Sequence, residues 1–292
     1  MSGQDFSRRS VRRQLSGEGL RPKKGLGQNF LTDASVLYDI VDAAALSEDS
    51  CVLEIGPGMG VLTRQLAMRA ALVTAVEIDR TILPVLEKNL SDFSNVTVVN
   101  QDILQVDLEA LFAKQFGDKP VSVVANLPYY ITTPILMKLL EAKVPIKTIV
   151  IMIQREVAER LAAGPGSKEF GAISLAVQYR AEVEPVRDVP PEAFEPMPKV
   201  WSSVIRLMPR EKPPVVVTDE GHFFRLIKAA FAMRRKTLVN AVSHEASLGA
   251  TKELLKAILQ DMGFDEAVRG ECLGLQQFAQ LSNEIIAKRL SK

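Results

Sequence analysis

Ser50-Cys51-Val52-Leu53-Glu54-Ile55-Gly56-Pro57-Gly58-Met59-Gly60 sets an apolar, β-rich run directly ahead of a glycine-rich turn that opens a helix. Outward from it, strands are predicted at 50–55, 72–78, 95–99, 121–126 and 147–153, with helices near 60–70, 80–91, 132–141 and 154–162. Alternation of this kind between about 32 and 162 is the signature of βα units on a mostly parallel sheet. After the turn Gly164-Pro165-Gly166, segments 172–180 and 200–208 read as two further strands joined by a Pro-rich connection at 185–198. The expected fold is a doubly wound, Rossmann-like α/β sheet with an antiparallel edge.

Pro209-Arg210-Glu211-Lys212-Pro213-Pro214 reads as a linker, since three prolines do not fit inside regular structure. Beyond it only helical spacing is found, in Phe223, Phe224, Ile227 and Phe231 and again in Leu254, Leu255, Ile258 and Leu259. The expected parts are a basic arm, 1–24, an α/β domain, 25–210, and a small all-helical domain, 211–292. Net charge is +1, yet residues 1–24 hold seven basic against two acidic side chains, the middle is acidic and the last 78 residues are slightly basic. A polyanion would be met by the ends. No run of eighteen apolar residues and no apolar segment behind the Arg-rich start is present, so a cytoplasmic protein without a membrane span is expected. Cys51 and Cys272 stand far apart, and His222 and His244 lie outside every glycine-rich motif, so chemistry resting on a metal or an imidazole is not expected.

Gly56, Gly58 and Gly60 let the backbone pass close to a ligand, and the next strand delivers Glu77 twenty-one residues after Gly56, placed for a ribose diol. Dinucleotide sites space their glycines as GxGxxG and aim amides at a pyrophosphate. Here the spacing is GxGxG and Pro57 removes one amide, which favours a ligand without phosphate; S-adenosylmethionine fits. In Asn100-Gln101-Asp102-Ile103 the carboxylate of Asp102 can accept from an adenine amino group and the amide of Ile103 can face a ring nitrogen. Either acid alone reads equally as a strand-end carboxylate or a helix cap. Asn126-Leu127-Pro128-Tyr129 follows a buried-looking strand and places an amide oxygen, a carbonyl and an aromatic face at the open end of the sheet, suited to an amino group on an unstacked base.

Together, Gly27-Gln28-Asn29-Phe30-Leu31, Glu54 to Gly60, Glu77-Ile78-Asp79, Asp102, Asn126 to Tyr129, the helix 154–160, Gly171 with Ser174 and Gln178, and Phe194-Glu195-Pro196-Met197-Pro198-Lys199-Val200 resemble the ribosomal RNA adenine dimethyltransferases, most closely their bacterial small-subunit branch, from about residue 22 onward. The resemblance implies the class I methyltransferase version of the fold. It places Asn29 and the Leu31 backbone on the methionine part of S-adenosylmethionine, Gly56 beside the same ligand, Glu77 on its ribose, Asp102 on its adenine and Asn126 at the transfer end. Gly58 and Ile103 join that set from the same motifs. It further implies a pair of adjacent adenines in a hairpin near the 3′ end of 16S rRNA, inside an immature small ribosomal subunit, each converted to N6,N6-dimethyladenine. Trp201 stands where the family more often carries an acid; it reads as packing at a strand edge, with stacking on RNA as the other reading.

An adenine N6 lone pair is delocalised into the ring, and hydrogen bonds to the Asn126 oxygen and the Leu127 carbonyl would pyramidalise it, with Pro128 stiffening the turn. Tyr129 on one face and, as the resemblance implies, Phe194 on the other would clamp the base, each stack contributing roughly 1–3 kcal/mol; taken alone, Phe194 in a Pro-rich loop reads as a packing plug. Arg225, Lys228, Arg234, Arg235 and Lys236 form a basic cluster for phosphate contacts, and Arg8 to Arg13 form a second one in the arm. A monomer is expected. The competing readings are a macrolide-resistance enzyme acting on 23S rRNA, a non-catalytic RNA-binding assembly factor, and a DNA adenine methyltransferase.

Overall fold

The computed structural model describes residues 7–233 and 235–290. In chain order its elements are α1 (Arg8–Gly17), β1 (Phe30–Leu31), α2 (Ala34–Ala43), β2 (Cys51–Ile55), α3 (Val61–Ala67), β3 (Leu72–Glu77), α4 (Leu83–Leu90), β4 (Val96–Asn100), α5 (Leu108–Gln115), β5 (Val121–Asn126), α6 (Thr132–Glu141), β6 (Ile146–Gln154) and α7 (Arg155–Ala162). There follow α8 (Ala172–Arg180), β7 (Ala181–Val189), β8 (Phe194–Glu195), β9 (Ser202–Pro209), α9 (Glu220–Ala232), α10 (Leu238–Val242), α11 (Lys252–Asp261) and α12 (Leu275–Leu290).

The chain forms two compact units, one of residues 1–158 with 182–209 and one of 159–181 with 210–292. In the first, seven strands run in the order β4-β3-β2-β5-β6-β9-β7. The first five are mutually parallel, and β9 closes antiparallel on β6, pairing Gln154 with Ser202 and Ile149 with Leu207. Strands β2 and β5 are buried almost throughout, as parallel strands covered on both faces must be. Their side chains meet Val36, Leu37, Ile40 and Val41 of α2, spaced three and four apart to present one apolar stripe. Each such side chain contributes about 1.5–3 kcal/mol by leaving water. Because strand order reverses between β2 and β5, the carboxyl ends of β2, β3, β4 and β5 surround one crevice, the place where such sheets receive ligands.

The five parallel strands and the antiparallel closing strand β9 stand as expected, but the other strand of the expected closing pair does not. Residues 172–180 form the helix α8, and the true edge strand is β7, which begins just after that helix and runs into the stretch read as a Pro-rich connection. Ser174 decides the local structure: its hydroxyl accepts from Gly171 N at 3.0 Å and donates to Arg160 O at 2.6 Å, which caps a helix. Leu175 and Tyr179, one helical turn apart, then join the core of the second unit. That core also takes Phe223, Leu226 and Ile227 of α9, Leu255 and Ile258 of α11, and Phe278, Leu281 and Ile285 of α12. Beyond Pro209 no strand occurs among the described residues. Helix α5, which the sequence reading passed over, starts where Asp107 Oδ1 accepts from Ala110 N at 3.0 Å.

Candidate active site

The glycine-rich turn after β2 holds Gly56 and Gly58 at φ +71° and +58°, the left-handed region that side-chain-bearing residues enter only with strain. A Cβ on Gly58 would lie 3.1 Å from the Phe30 ring, so the turn and the Gly27-to-Leu31 segment approach each other across that missing atom. One strand over, Glu77 fastens the turn. Its Oε1 accepts from Asp79 N at 2.8 Å and its Oε2 from Gly58 N at 3.0 Å. Burial raises the Glu77 pKa, while these two N–H groups favour the ionised form. A carboxylate offers about four lone-pair positions, so two remain to accept from vicinal hydroxyls.

Beyond β4, Asp102 Oδ1 accepts from Leu104 N at 2.9 Å, and its carbonyl accepts from Gln105 N at 2.8 Å. Asp102 is therefore a turn cap. Its second oxygen accepts from no described group, and the Ile103 N–H donates to none, leaving an acceptor beside a donor. That pair matches the amino group and adjacent ring nitrogen of an adenine.

At the end of β5 the Asn126 amide donates through Nδ2 to Asn29 O at 3.1 Å, which commits the donor side of the amide and frees Oδ1. Leu127, 1% exposed, is pinned by its N–H to Met152 O at 3.1 Å, and no described group donates to its carbonyl. The Pro128 carbonyl is occupied, accepting from Ile131 N at 3.3 Å and Thr132 Oγ1 at 3.2 Å. Tyr129 is half-buried, its hydroxyl 2.6 Å from Ser202 Oγ, and burial pushes its pKa up, so the phenol stays neutral. One cavity is lined by Asn29, Leu31, Gly56, Gly58, Glu77, Asp102, Ile103 and all of Asn126 to Tyr129.

Phe194 is not brought to that cavity. Strand β8 pairs antiparallel with β1, setting Phe194 opposite Leu31 and Glu195 opposite Phe30, and the Phe194 side chain is 1% exposed within the sheet core. Trp201 lies just before β9, 43% exposed, with the Arg155 guanidinium 5.4 Å from its ring centre.

Two groups of site residues escaped the sequence reading. Glu54, 1% exposed at the cavity wall, is pushed by burial up to about 8, with Thr63 opposing and the Glu77 charge adding to the shift; its Oε2 has no hydrogen-bond partner. An orphaned carboxylate oxygen there fits a ligand bearing positive charge, as the ammonium and sulfonium of S-adenosylmethionine do. The second group is a latch: Asp79 binds Lys23 Nζ at 2.7 Å and Gln28 Nε2 at 2.8 Å, and Gln28 Oε1 accepts from Lys23 N at 2.8 Å. Although burial opposes it, bonds from Lys23, Thr81 and Gln28 hold the Asp79 pKa at about 2. The spacing of Gln28 and Asp79 carries no sequence signal, because 51 residues separate the partners.

The described family model "Ribosomal RNA adenine dimethylase" matches residues 19–281. The chain belongs to the ribosomal RNA adenine dimethylase family. As a member of that family it is an S-adenosylmethionine-dependent methyltransferase of ribosomal RNA. It is 52% identical over 275 residues to ribosomal RNA small subunit methyltransferase A of Bacillus mycoides (strain KBAB4) and to that of Bacillus cereus (strain AH187), with 94% of each chain covered in both comparisons. Among solved structures it is similar to a dimethyladenosine transferase from Plasmodium falciparum, with a TM-score of 0.76, 26% identity and coverage of 89% of this chain and 98% of that one. It is also similar to the 23S rRNA methyltransferase ErmE, with a TM-score of 0.69, 28% identity and coverage of 88% and 100%.

The dimethylase's helical unit carries the remaining expected residues. Arg225 and Lys228 are exposed, three residues apart on α9, and Arg235 and Lys236 are exposed beyond its end; Arg234 lies outside the described residues. Glu245, whose pKa is lowered by Ser247 and by the charges of Arg225 and Lys228, offsets part of the positive field. His222 is a core residue, 2% exposed with Nδ1 2.8 Å from Ser282 Oγ. Among the described residues no cluster of potential metal ligands occurs, and no helix is long and apolar enough to cross a membrane.

Proposed function

We propose that the chain transfers methyl groups to N6 of two adjacent adenines in a hairpin near the 3′ end of 16S rRNA, within an immature small ribosomal subunit, giving N6,N6-dimethyladenines. The observation that carries the reading is the pair of acceptors, Asn126 Oδ1 and Leu127 O, at the cavity wall with no described donor of their own. S-adenosylmethionine supplies a methyl group already activated on a sulfonium. Asn29, Leu31, Gly56, Gly58, Glu77, Asp102 and Ile103 hold it, with Glu54 meeting its positive charge. Asn126 and Leu127 accept from the adenine amine, localising its lone pair, while Pro128 stiffens the turn. Tyr129 stacks on the base, its hydroxyl fixed by Ser202. Phe194, buried in the sheet core, acts only by fixing Leu31 through the β1–β8 pair and does not stack on the base.

Residues 211–292 form the RNA-contacting part, with Arg225, Lys228, Arg234, Arg235 and Lys236 on phosphates and residues 25–210 as the catalytic part. The protein acts as a monomer in the cytoplasm. Reaction of the purified chain with unmethylated ribosomal subunits, followed by mass spectrometry of mapped nucleosides, tests this. Dimethyladenine at two neighbouring positions of 16S rRNA is expected. Modification confined to 23S rRNA, the substrate named for ErmE, would overturn the assignment.

A further inference from the structure

The Arg-rich stretch ahead of the shared motifs is a helix with two different sides. Val11 and Leu15 of α1 are buried, 2% and 5% exposed, against Phe30, Met59, Ile82 and Val85. Phe30 belongs to the segment over the cavity and Met59 to the glycine-rich turn. Beside this apolar seam, Gln14 Nε2 donates to Asn89 Oδ1 at 2.7 Å, and Asn89 Nδ2 donates to Met59 O at 2.9 Å. A chain of two hydrogen bonds therefore runs from α1 to the backbone of the turn, through a side chain only 9% exposed. On the opposite flank Arg8 Nε donates to Phe194 O at 3.1 Å, and Arg12 Nε lies 2.8 Å from Glu195 Oε1. Arg9 and Arg13, on the face turned away from Val11 and Leu15, are exposed and have no ion-pair partner among the described residues.

We propose that α1 is a positioning element of the methyl-donor site, bracing the glycine-rich turn through Gln14, Asn89 and Met59 and the β8 segment through Arg8 and Arg12. This rests on the reading of the cavity as the donor site. Three of the four polar contacts end on residues that their own secondary structure holds weakly: Met59 lies in a turn held by left-handed glycines, and Phe194 and Glu195 form β8, which is only two residues long. A turn free to move must be ordered at each binding event, which weakens binding; a turn already braced does not carry that cost. The helix thus acts on donor affinity with RNA absent, which separates it from an arm that merely gathers phosphates.

The test uses the full chain and titrates S-adenosylmethionine by calorimetry without RNA, beside methylation of unmethylated small subunits. Gln14→Ala and Arg8→Ala are expected to weaken donor binding about three- to tenfold, as loss of one hydrogen bond does. They should raise the donor KM by the same factor while leaving kcat at saturating donor unchanged. Arg8→Lys restores most of the loss, and Arg12→Glu is rescued by Glu195→Arg. Arg9→Ala with Arg13→Ala leaves donor affinity unchanged. Donor affinity untouched by every inward variant, whether or not thermal stability or subunit affinity falls, would overturn the proposal. Failure of the unaltered chain to bind S-adenosylmethionine would instead strike the reading of the cavity.

Discussion

Replacing Asn126 by alanine tests whether the amide works on the acceptor or on the donor. Two interactions are lost. One is the bond from Nδ2 to Asn29 O, 3.1 Å long and part-buried, a neutral bond contributing about 0.5–1.5 kcal/mol. Even if that whole amount were felt in donor binding through Asn29, affinity would fall by no more than about tenfold. The other is the Oδ1 acceptor, which matters most as the amine becomes pyramidal. Removing a preorganised polar group aimed at developing charge costs about 2.7–4 kcal/mol, a drop of roughly 10²–10³ in kcat. Donor affinity from calorimetry and single-turnover transfer to unmethylated small subunits should therefore part company by at least tenfold. Asn126→Asp keeps an acceptor but sets a carboxylate against the Asn29 carbonyl, so it should bind the donor less well than the alanine variant's lost bond alone accounts for. Equal losses of donor affinity and turnover in Asn126→Ala would refute the reasoning, because the side chain would then act before the transition state is reached.

Glu54 makes a prediction in pH. Its folded pKa of about 8 lies above the ordinary 4.5, so the native state holds a proton the unfolded chain releases, and stability drains away as pH rises between those values. Glu54→Gln should melt higher than the unaltered chain at pH 8 and converge with it near pH 4.5; and donor binding near neutral pH should release a proton in the unaltered chain alone, seen as a buffer-dependent calorimetric heat. Asp79 has the opposite sign: with its pKa lowered from 3.8 to about 2, its contribution is present above pH 4 and fades as pH falls toward 2, so Asp79→Asn should flatten that acid limb of the melting curve and weaken donor binding by freeing Lys23 and Gln28. A limb unchanged by the substitution would remove the latch. Arg225→Ala with Lys228→Ala should weaken RNA binding and lower the slope of log affinity against log salt by about one per charge removed, and an unchanged slope would move the RNA surface elsewhere.

What could be read from the sequence followed from strong local signals. Buried parallel strands announce themselves as apolar runs, and the glycines at 56 and 58 occupy positions where φ is positive, so the turn and its neighbours were legible. The misassigned pair shows the limit. Residues 172–180 carry Ile173, Val177 and Tyr179 in an alternation that also satisfies a helical stripe, and short apolar runs do not distinguish the two periods. Strand β7 lies at the sheet edge with charged, exposed residues and Pro185, which an edge tolerates and an interior strand does not, so nothing in its composition marked it. Helix α1 was hidden likewise: its two apolar residues gain meaning only when Phe30 and Met59 are beneath them. Glu54 was quoted within its motif and given no task, because whether a carboxylate is solvated or orphaned depends on neighbours from other strands.

The two free acceptors at the end of β5 have a further consequence once the substrate's hydrogens are counted. In the proposed reaction an adenine amine enters with two N–H groups, one for Asn126 Oδ1 and one for Leu127 O. The monomethyl amine has one and the dimethyl amine none. Each transfer would therefore remove a partner from one of these acceptors, and an unsatisfied buried acceptor costs about 1–3 kcal/mol. The finished base fits its own pocket worse than the starting base by up to twice that amount. A site that holds its substrate by hydrogens the reaction consumes is built to count to two and then let go.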